Sequence, residues 1–410
     1  MRKVFDIAVA VIFSLVIAGP FALLAADQAG MRLPSWLTAE DAQYLSGGIV
    51  ENDVGDNLTF SGYRSRDLQT AIESEIGNYI PCKALAMLSN ATLQRSAIEC
   101  ANSVAGWNCY PSTFTSPSVI VPQQGIIIPF AHTQQSLDWE AIDGWISTVN
   151  LAVEHHPDVR FTYDLVSDMY TTDANPSSEL ISDSIVEDSA IDEFAAKLNP
   201  SIEFLCERIP SVEEMSTRWN KTEHHWKLER ALQAYNDIGS TFDWKPIDYE
   251  NDFLAAETWY GTSGRSGLFL GFTDEWRDLP TDFSYMTATV DGEQVTRGYR
   301  DIYMNGGSVD ATTDFYWGYY GGCLPEVVYD NPASTNEKCC LFVETSYSIP
   351  LEAYIAQNYR TTICIAPINC SMEQTIDDYL NEYDIDDVVI QTGFADVQYG
   401  VTKSPRSFGS

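Results

Sequence analysis

Cys340-Leu341-Phe342-Val343-Glu344-Thr345-Ser346-Tyr347-Ser348-Ile349-Pro350-Leu351 is the stretch that decides the fold class. Cys340–Val343 is a short apolar run of strand length. Glu344–Ser348 is a polar turn. Pro350 then suits the first turn of a helix over Pro350–Asn358, where a missing N–H does no harm. The alternation continues downstream. Thr361–Ala366 reads as a strand. Met372–Glu382 reads as a helix, with Ile376, Tyr379 and Leu380 on one face, and Val388–Gln391 as a last strand. Apolar strands separated by helices imply parallel pairing through crossover helices. Upstream, Gly125–Phe130 is a strand. Asp138–His155 has helical periodicity through Ile142, Trp145, Ile146, Val149 and Val153, and Val159–Tyr163 is another strand, so this region opens β-α-β. The expected fold class is α/β, with a mostly parallel sheet flanked by helices.

The balance of 23 Lys+Arg against 59 Asp+Glu gives a net charge of −36, which argues against nucleic acid as a partner because phosphate binding needs clustered basic side chains. With 45% hydrophobic and 12% aromatic residues the chain can bury a large core, which excludes general disorder.

Arg2 and Lys3 precede a run from Ile7 to Ala26 with no charged residue, 20 positions that as a helix would span about 30 Å. The basic flank puts the N-terminus in the cytoplasm and the rest outside. The run reads as an uncleaved signal anchor, with a cleaved signal peptide ending near Ala25 and Ala26 as the rival. The expected location is the cell membrane, single-pass with an extracytoplasmic domain, or secreted if the signal is cut. The expected divisions are 1–26 for this segment, 27–120 for a stalk and N-terminal extension, 121–402 for the α/β domain, and 403–410 for a tail. Within the extension, Asp67–Ile76 and Ala84–Ala97 look helical. An exported chain can oxidise its thiols, so Cys100/Cys109 and Cys364/Cys370 are candidate bridges. With nine cysteines at least one stays unbridged within the chain.

Sites in parallel α/β sheets form beyond the carboxyl ends of the strands. The turn after Cys340–Val343 is therefore the first candidate. Ser346 stands there near a helix N-terminus, where backbone N–H groups stabilise an oxyanion; the plainer reading is a serine that caps the helix. Of five histidines, His155 and His156 suit a helix C-terminus and His132 follows a strand end. His224 and His225 lie in Asn220-Lys221-Thr222-Glu223-His224-His225-Trp226, at the start of a helix with Thr222 as its expected N-cap. Glu223, two residues before His225, can orient its imidazole; a structural histidine pair beside Trp226 is the alternative. There is no HExxH or HxH cluster, so no metal is expected.

Thr222-Glu223-His224-His225-Trp226 resembles the T-D-H-H-W motif of the DHHW proteins. These are similar to the alginate O-acetyltransferase AlgX/AlgJ group, which carries an SGNH-hydrolase-like domain. Glu344-Thr345-Ser346-Tyr347-Ser348 followed by Pro350-Leu351 is similar to that group's G-D-S-[YF]-[SA]-x-P-L nucleophile turn, and Trp259-Tyr260-Gly261-Thr262 resembles its fyG[ST] segment. The likeness runs over about 124–400, and loosely over 70–110. It implies an SGNH-hydrolase-like fold and a serine-dependent O-acetyltransferase or acetylesterase acting on a cell-surface polysaccharide through an acyl-enzyme. Ser346 takes the place of the nucleophile, His225 of the base and Glu223 of the orienting acid. Gly261 is a candidate for the oxyanion hole, and His224, Trp226 and Tyr347 for substrate contact. Trp259, Trp317, Tyr319 and Tyr320 are further candidates for stacking on sugar rings, with core packing as the plainer reading. No cofactor is implied. The partners implied are a glycan acceptor and an acetyl donor supplied by a membrane-bound O-acyltransferase. Glu344-Thr345 departs from the group's Gly-Asp, and Glu223 from its aspartate. Those departures favour the alternative of a weak or inactive glycan-binding or assembly protein of the cell envelope, and Ser348 is the fallback nucleophile.

Overall fold

A computed structural model describes 57–403 apart from 80–82, 113–117, 267–270, 299, 301–314, 371 and 373, together with scattered positions before 57. Most of 1–26 and all of 404–410 lie outside the described residues, so the anchor or signal segment and nearly all of the tail do too. Among the described residues no helix is long and apolar enough to cross a membrane.

The chain forms two compact units. The first takes in the chain up to Trp107 with Arg265–Gly271. Among the described residues its helices are α1 (Phe60–Ser65), α2 (Asp67–Tyr79) and α3 (Lys83–Ala105), so the two helical stretches expected there are longer than the sequence suggested. The second unit takes in Asn108–Gly264 and Phe272–Ser410. Its strands are β1 (Tyr110–Ser112), β2 (Ser118–Val121), β3 (Ile126–Pro129), β4 (Arg160–Val166), β5 (Glu203–Leu205), β6 (Phe253–Trp259), β7 (Asp274–Asp278), β8 (Thr287–Val290), β9 (Glu293–Val295), β10 (Glu326–Asp330), β11 (Cys339–Val343), β12 (Thr361–Ile365) and β13 (Asp387–Gly393). The helices that matter for the site are α4 (Trp139–His155), α5 (Asp188–Lys197), α6 (Val212–Arg218), α7 (Leu228–Phe242), α8 (Phe315–Tyr320), α9 (Glu352–Ala356), α10 (Ile376–Glu382) and α11 (Phe394–Lys403).

Eight strands make the main sheet, in the order β5-β4-β13-β11-β12-β10-β8-β9. From β5 to β12 all pairings are parallel, and β10, β8 and β9 add an antiparallel edge. The central strands are buried along almost their whole length, as a parallel sheet covered on both faces requires. Side chains alternate between the faces. Cys340 and Phe342 of β11 pack toward α7 and α9, with Leu232, Tyr235, Ile238 and Ile355. Leu341 and Val343 pack toward α4, α5 and α10, with Trp145, Val149, Phe194 and Tyr379. The result is an α/β sandwich of three layers.

Three readings of the sequence need correction. Gly125–Phe130 does not start a β-α-β unit. Gly125 has φ +64° and donates its N–H to Val121 O at 2.9 Å, so β3 folds back on β2 as a hairpin and joins the separate sheet β1-β2-β3. The helix expected over Met372–Glu382 begins only at Ile376. Thr375 caps it, accepting the Asp378 N–H at 3.2 Å, while the Asp378 carboxylate accepts the Thr375 N–H at 2.8 Å. None of the eight described cysteines is in a disulfide, and Cys364 is held inside β12.

Tyr163 ties the second layer together. Its hydroxyl accepts from Trp145 Nε1 at 2.8 Å and meets Thr392 Oγ1 at 2.7 Å, with all three side chains buried. Tyr163→Phe leaves two buried polar groups unsatisfied, each worth about 1–3 kcal/mol. Urea unfolding should show a loss of about 2–4 kcal/mol; a loss below about 0.5 kcal/mol would mean that the chain of bonds contributes nothing.

Candidate active site

β11 leads into the Glu344–Ser348 turn. Its parallel neighbours β12 and β13 fix the strand end, where Glu344 donates its N–H to Ile365 O at 2.8 Å. A 3-10 turn over Ser346–Leu351 follows, so the helix expected from Pro350 starts earlier and tighter, and α-helical geometry begins only at Glu352. Ser348 is a structural residue. Its Oγ accepts the Thr345 N–H at 3.1 Å and donates to Gln391 O at 3.3 Å. Ser346 opens the turn, and the first N–H groups of a helical turn have no partner within it.

The second piece is a closed loop. The segment Thr222–Trp226 was expected to open a helix with Thr222 as N-cap, but α7 starts at Leu228. Asn220 pins the loop ends, its Nδ2 donating to His225 O and Trp226 O, each at 3.1 Å. Buried Asp274 on β7 takes the outward N–H groups of Lys221 (2.7 Å) and Thr222 (2.8 Å) and the Thr222 hydroxyl (2.5 Å). These bonds compete with helix formation and win. The sequence gives no sign of Asp274, because the pairing spans 52 residues.

The two pieces meet at Ser346 and His225. Ser346 Oγ lies 2.8 Å from His225 Nε2, and His225 Nδ1 lies 3.2 Å from Glu223 Oε1. Glu223 accepts at Nδ1, which leaves Nε2 free to take the serine proton. All three residues are buried. Tyr316 of α8 stacks on the His225 ring, with centroids 4.0 Å apart and 8° between planes, and Tyr347 meets it edge-on at 4.9 Å. Tyr316 was missed in the sequence; it comes from an aromatic-rich helix with no spacing relation to the histidine.

Glu223 is held from behind. Its Oε2 accepts the Thr262 N–H at 2.7 Å, and its Oε1 accepts the His224 N–H at 3.0 Å. Burial alone would raise this carboxyl, but His224 and then His225 outweigh it and hold it well below the usual range. Gly261 is not free to serve an oxyanion hole. Its N–H is donated to Thr222 Oγ1 at 2.9 Å. A Cβ there would sit 2.4 Å from Glu223 Cβ and 2.5 Å from Thr222 O, so the glycine allows the close approach.

The other candidates divide. Trp226 is buried and donates its Nε1 to Tyr347 O at 2.8 Å, and Tyr347 is buried against His225, so neither has a free face for a ligand. Trp259, Tyr319 and Tyr320 are core aromatics, whereas Trp317 is exposed. His224 keeps part of its ring at the surface, 2.6 Å from Glu223 Oε1. His132 stacks on Tyr170 at 5.3 Å, and Tyr170 meets the edge of His224 at 6.1 Å. His155 and His156 reach Asp377 of α10 at 3.1 and 3.0 Å, a surface role.

Glu223, His224 and His225 form the one grouping among the described residues whose donor atoms lie within 4.8 Å of one another in the manner of a metal set. Yet the 2.6 Å between Glu223 Oε1 and His224 Nδ1 is a hydrogen-bond length, shorter than the ~3.4 Å between ligand atoms of a tetrahedral zinc.

Glu344, the departure in the nucleophile turn, faces elsewhere. It is fully buried, and its charged neighbours are Glu352 and Arg297. Arg297 forks onto Glu352, which also accepts from Tyr329 OH at 2.8 Å. Burial, with the Glu352 carboxylate second, pushes Glu344 well above the usual carboxylate range.

The sequence matches no family model and no curated protein. Similarity lies among solved structures. PatB1 of Bacillus cereus, in a structure with a sulfonyl adduct, has a TM-score of 0.51 at 16% identity, over 71% of this chain and 96% of that one. A DHHW family protein from Eubacterium siraeum has a TM-score of 0.52 at 15% identity, over 73% of this chain and 98% of that one. The fold is that of the DHHW protein. The O-acetyltransferase domain of Pseudomonas putida AlgJ aligns with a TM-score of 0.34 at 11% identity, over 72% of this chain and 94% of that one. In this fold the motif loop and the serine turn lie 121 residues apart in sequence.

Two outcomes follow from the packing. Gly261→Ala should displace Glu223 and lower any Ser346-dependent esterase rate at least about tenfold, a loss of about 1.4 kcal/mol of transition-state stabilisation; an unchanged rate would remove the glycine from the support of the site. Glu344→Gln tests the raised carboxyl. A group with a raised acid pKa binds its proton more tightly when folded, so it takes stability away as pH rises from its unfolded value, near 4.5, through its folded value. The variant should match the wild type near pH 4 and exceed it increasingly in melting temperature toward neutral pH. Equal melting temperatures across that window would show that Glu344 titrates as an ordinary glutamate.

Proposed function

We propose that this chain is a serine-dependent acyl-transfer enzyme, an O-acetyltransferase or acetylesterase that works through an acyl-enzyme. The observation that carries the reading is the line Ser346–His225–Glu223, with 2.8 Å between Oγ and Nε2 and 3.2 Å between Nδ1 and Oε1. Such a line lets a hydroxyl become a nucleophile near neutral pH. Ser346 Oγ attacks the acetyl carbonyl and its proton passes to His225 Nε2. The tetrahedral intermediate collapses, and the donor's leaving group departs with that proton. An acceptor hydroxyl then gives its proton to Nε2 and attacks the acetyl-serine, and Ser346 leaves and is reprotonated. Water in place of the acceptor gives an esterase.

The motif resemblance supports acetyl as the group and a cell-surface polysaccharide as the acceptor. It also supports acetyl delivery by a membrane-bound O-acyltransferase. A chain of net charge −36 favours a neutral glycan, since a polyanion is repelled at long range. The apolar run of 7–26 supports an extracytoplasmic site, on a membrane anchor or secreted. The alternative of a weak or inactive relative rests on Glu344-Thr345 and on Glu223; against the first, the charged neighbours of Glu344 are Glu352 and Arg297.

The test uses the full-length protein with p-nitrophenyl acetate, followed by release and by intact mass. The expected result is a burst and an adduct of about 42 Da, the mass an acetyl group adds in replacing hydrogen, on the wild type, and neither on Ser346→Ala. His225→Ala should lower the rate by about 10²–10⁴. Release that is the same in all three folded proteins would overturn the reading.

A further inference from the structure

One oxygen serves two imidazoles. Glu223 Oε1 lies 2.6 Å from His224 Nδ1 and 3.2 Å from His225 Nδ1, and the rings are 3.9 Å apart. The other oxygen of Glu223 accepts the Thr262 N–H at 2.7 Å. The shorter contact belongs to His224, which the serine relay does not use. His224 is also the more open of the two: its side chain is 30% exposed against 8% for His225, so solvent reaches it more readily.

The surroundings of His224 are acidic. Asp396 of α11 and Asp168, in the loop after β4, both act on it. The two carboxyls lie close together: a Cβ on Gly393 would meet Asp396 Oδ2 at 2.7 Å and Asp168 Oδ2 at 3.3 Å. Asp396 is pushed up to about 7, by burial first and by Asp168 second. From the remaining sides the Tyr170 and Tyr347 rings face His224 at 6.1 and 6.3 Å, with His132 behind Tyr170.

We propose that His224 is a positioning residue that sets the strength of the catalytic base: protonated, it draws the charge of Glu223 to itself and leaves His225 weak; neutral, it returns that charge to His225. The proposal rests on the reading of Ser346 and His225 as the acyl-transfer pair, whose regulation it names. The electrostatics agree with the geometry. Burial works to lower His224, but Glu223 outweighs it and the group is raised above its ordinary value. His225 is pushed down to about 4, by burial first and by the charge on His224 second. The rate of serine acylation therefore rises a second time, above the titration of His225, as His224 gives its proton to solvent.

Two readouts on the full-length protein test this. Imidazole Cε1–H resonances, assigned with His225→Gln, follow both rings without substrate. In the wild type the His225 resonance should show a second inflection at the midpoint of His224. In His224→Gln, which keeps an uncharged donor, that inflection should vanish and the His225 midpoint should rise by about one unit or more. Acylation by p-nitrophenyl acetate should lose its upper pH step in the same variant. A single His225 inflection in the wild type, or an unmoved His225 midpoint in the variant, overturns the proposal. If the variant does not fold, the wild-type resonance alone decides. If neither protein is acylated while the resonances couple as described, the coupling stands and the acyl-transfer reading falls.

Discussion

The hydrogen bond between Ser346 Oγ and His225 Nε2 joins pieces of chain 121 residues apart. Neither piece has a regular shape that would bring its atom there alone. The serine sits on a 3-10 turn and the histidine on a closed loop. Each is anchored to something stiffer. The turn is fixed by β11 between β12 and β13, the most buried part of the sheet. The loop is fixed by the Asp274 carboxylate and the Asn220 amide, groups that satisfy backbone N–H and C=O which a helix would otherwise have satisfied. A catalytic hydrogen bond tolerates errors of only a few tenths of an ångström. That tolerance accounts for the number of buried polar side chains around Ser346, His225 and Glu223.

Much of this was legible in the sequence, for identifiable reasons. Strands β11, β12 and β13 announce themselves through the short apolar runs Cys339–Val343, Ile363–Ile365 and Val388–Ile390, because both of their faces are buried, whereas β4 is interrupted by Thr162 and Asp164. Helix α4 is legible because one face packs on the sheet at a spacing of three and four residues. The antiparallel edge is not. β8 and β9 are short and only partly buried, and Thr287, Thr289, Glu293 and Gln294 carry no apolar pattern. The β2–β3 hairpin hides in Pro122-Gln123-Gln124-Gly125, a turn whose meaning depends on Gly125 reaching a positive φ. At the site, residue types near one another in sequence were readable, as with Glu223 and His225. Asp274, Tyr316, Asp168 and Asp396 were not, because each arrives from another element and no local spacing records it.

Trp226 and Tyr347 show how position and role diverge. Both lie beside the reacting residues in sequence, which suggested contact with substrate. Both are buried, and they hold each other, Trp226 Nε1 donating to Tyr347 O. Tyr316 OH donates to the same carbonyl at 3.0 Å. One backbone oxygen of the nucleophile turn is thus clamped by an aromatic from the motif loop and another from α8. The aromatics next to the triad set where its atoms stand.

The glutamate at 223, where the resembling motif has aspartate, fits this architecture through reach. A carboxylate that serves His225 with one oxygen must place the other against something. Here Oε2 accepts the Thr262 N–H, in the strand-to-helix turn behind the loop, and Gly261 clears the path for Glu223 Cβ. The extra methylene carries the carboxyl from a backbone packed against that turn to the imidazole in front of it. The same reach places Oε1 where His224 approaches it as well as His225. A carboxylate shared in this way stabilises an imidazolium on His225 less than an undivided one, because part of its field is already answered by its other partner. The longer side chain and the adjacent histidine are therefore one feature: together they bring two imidazoles to one carboxylate oxygen.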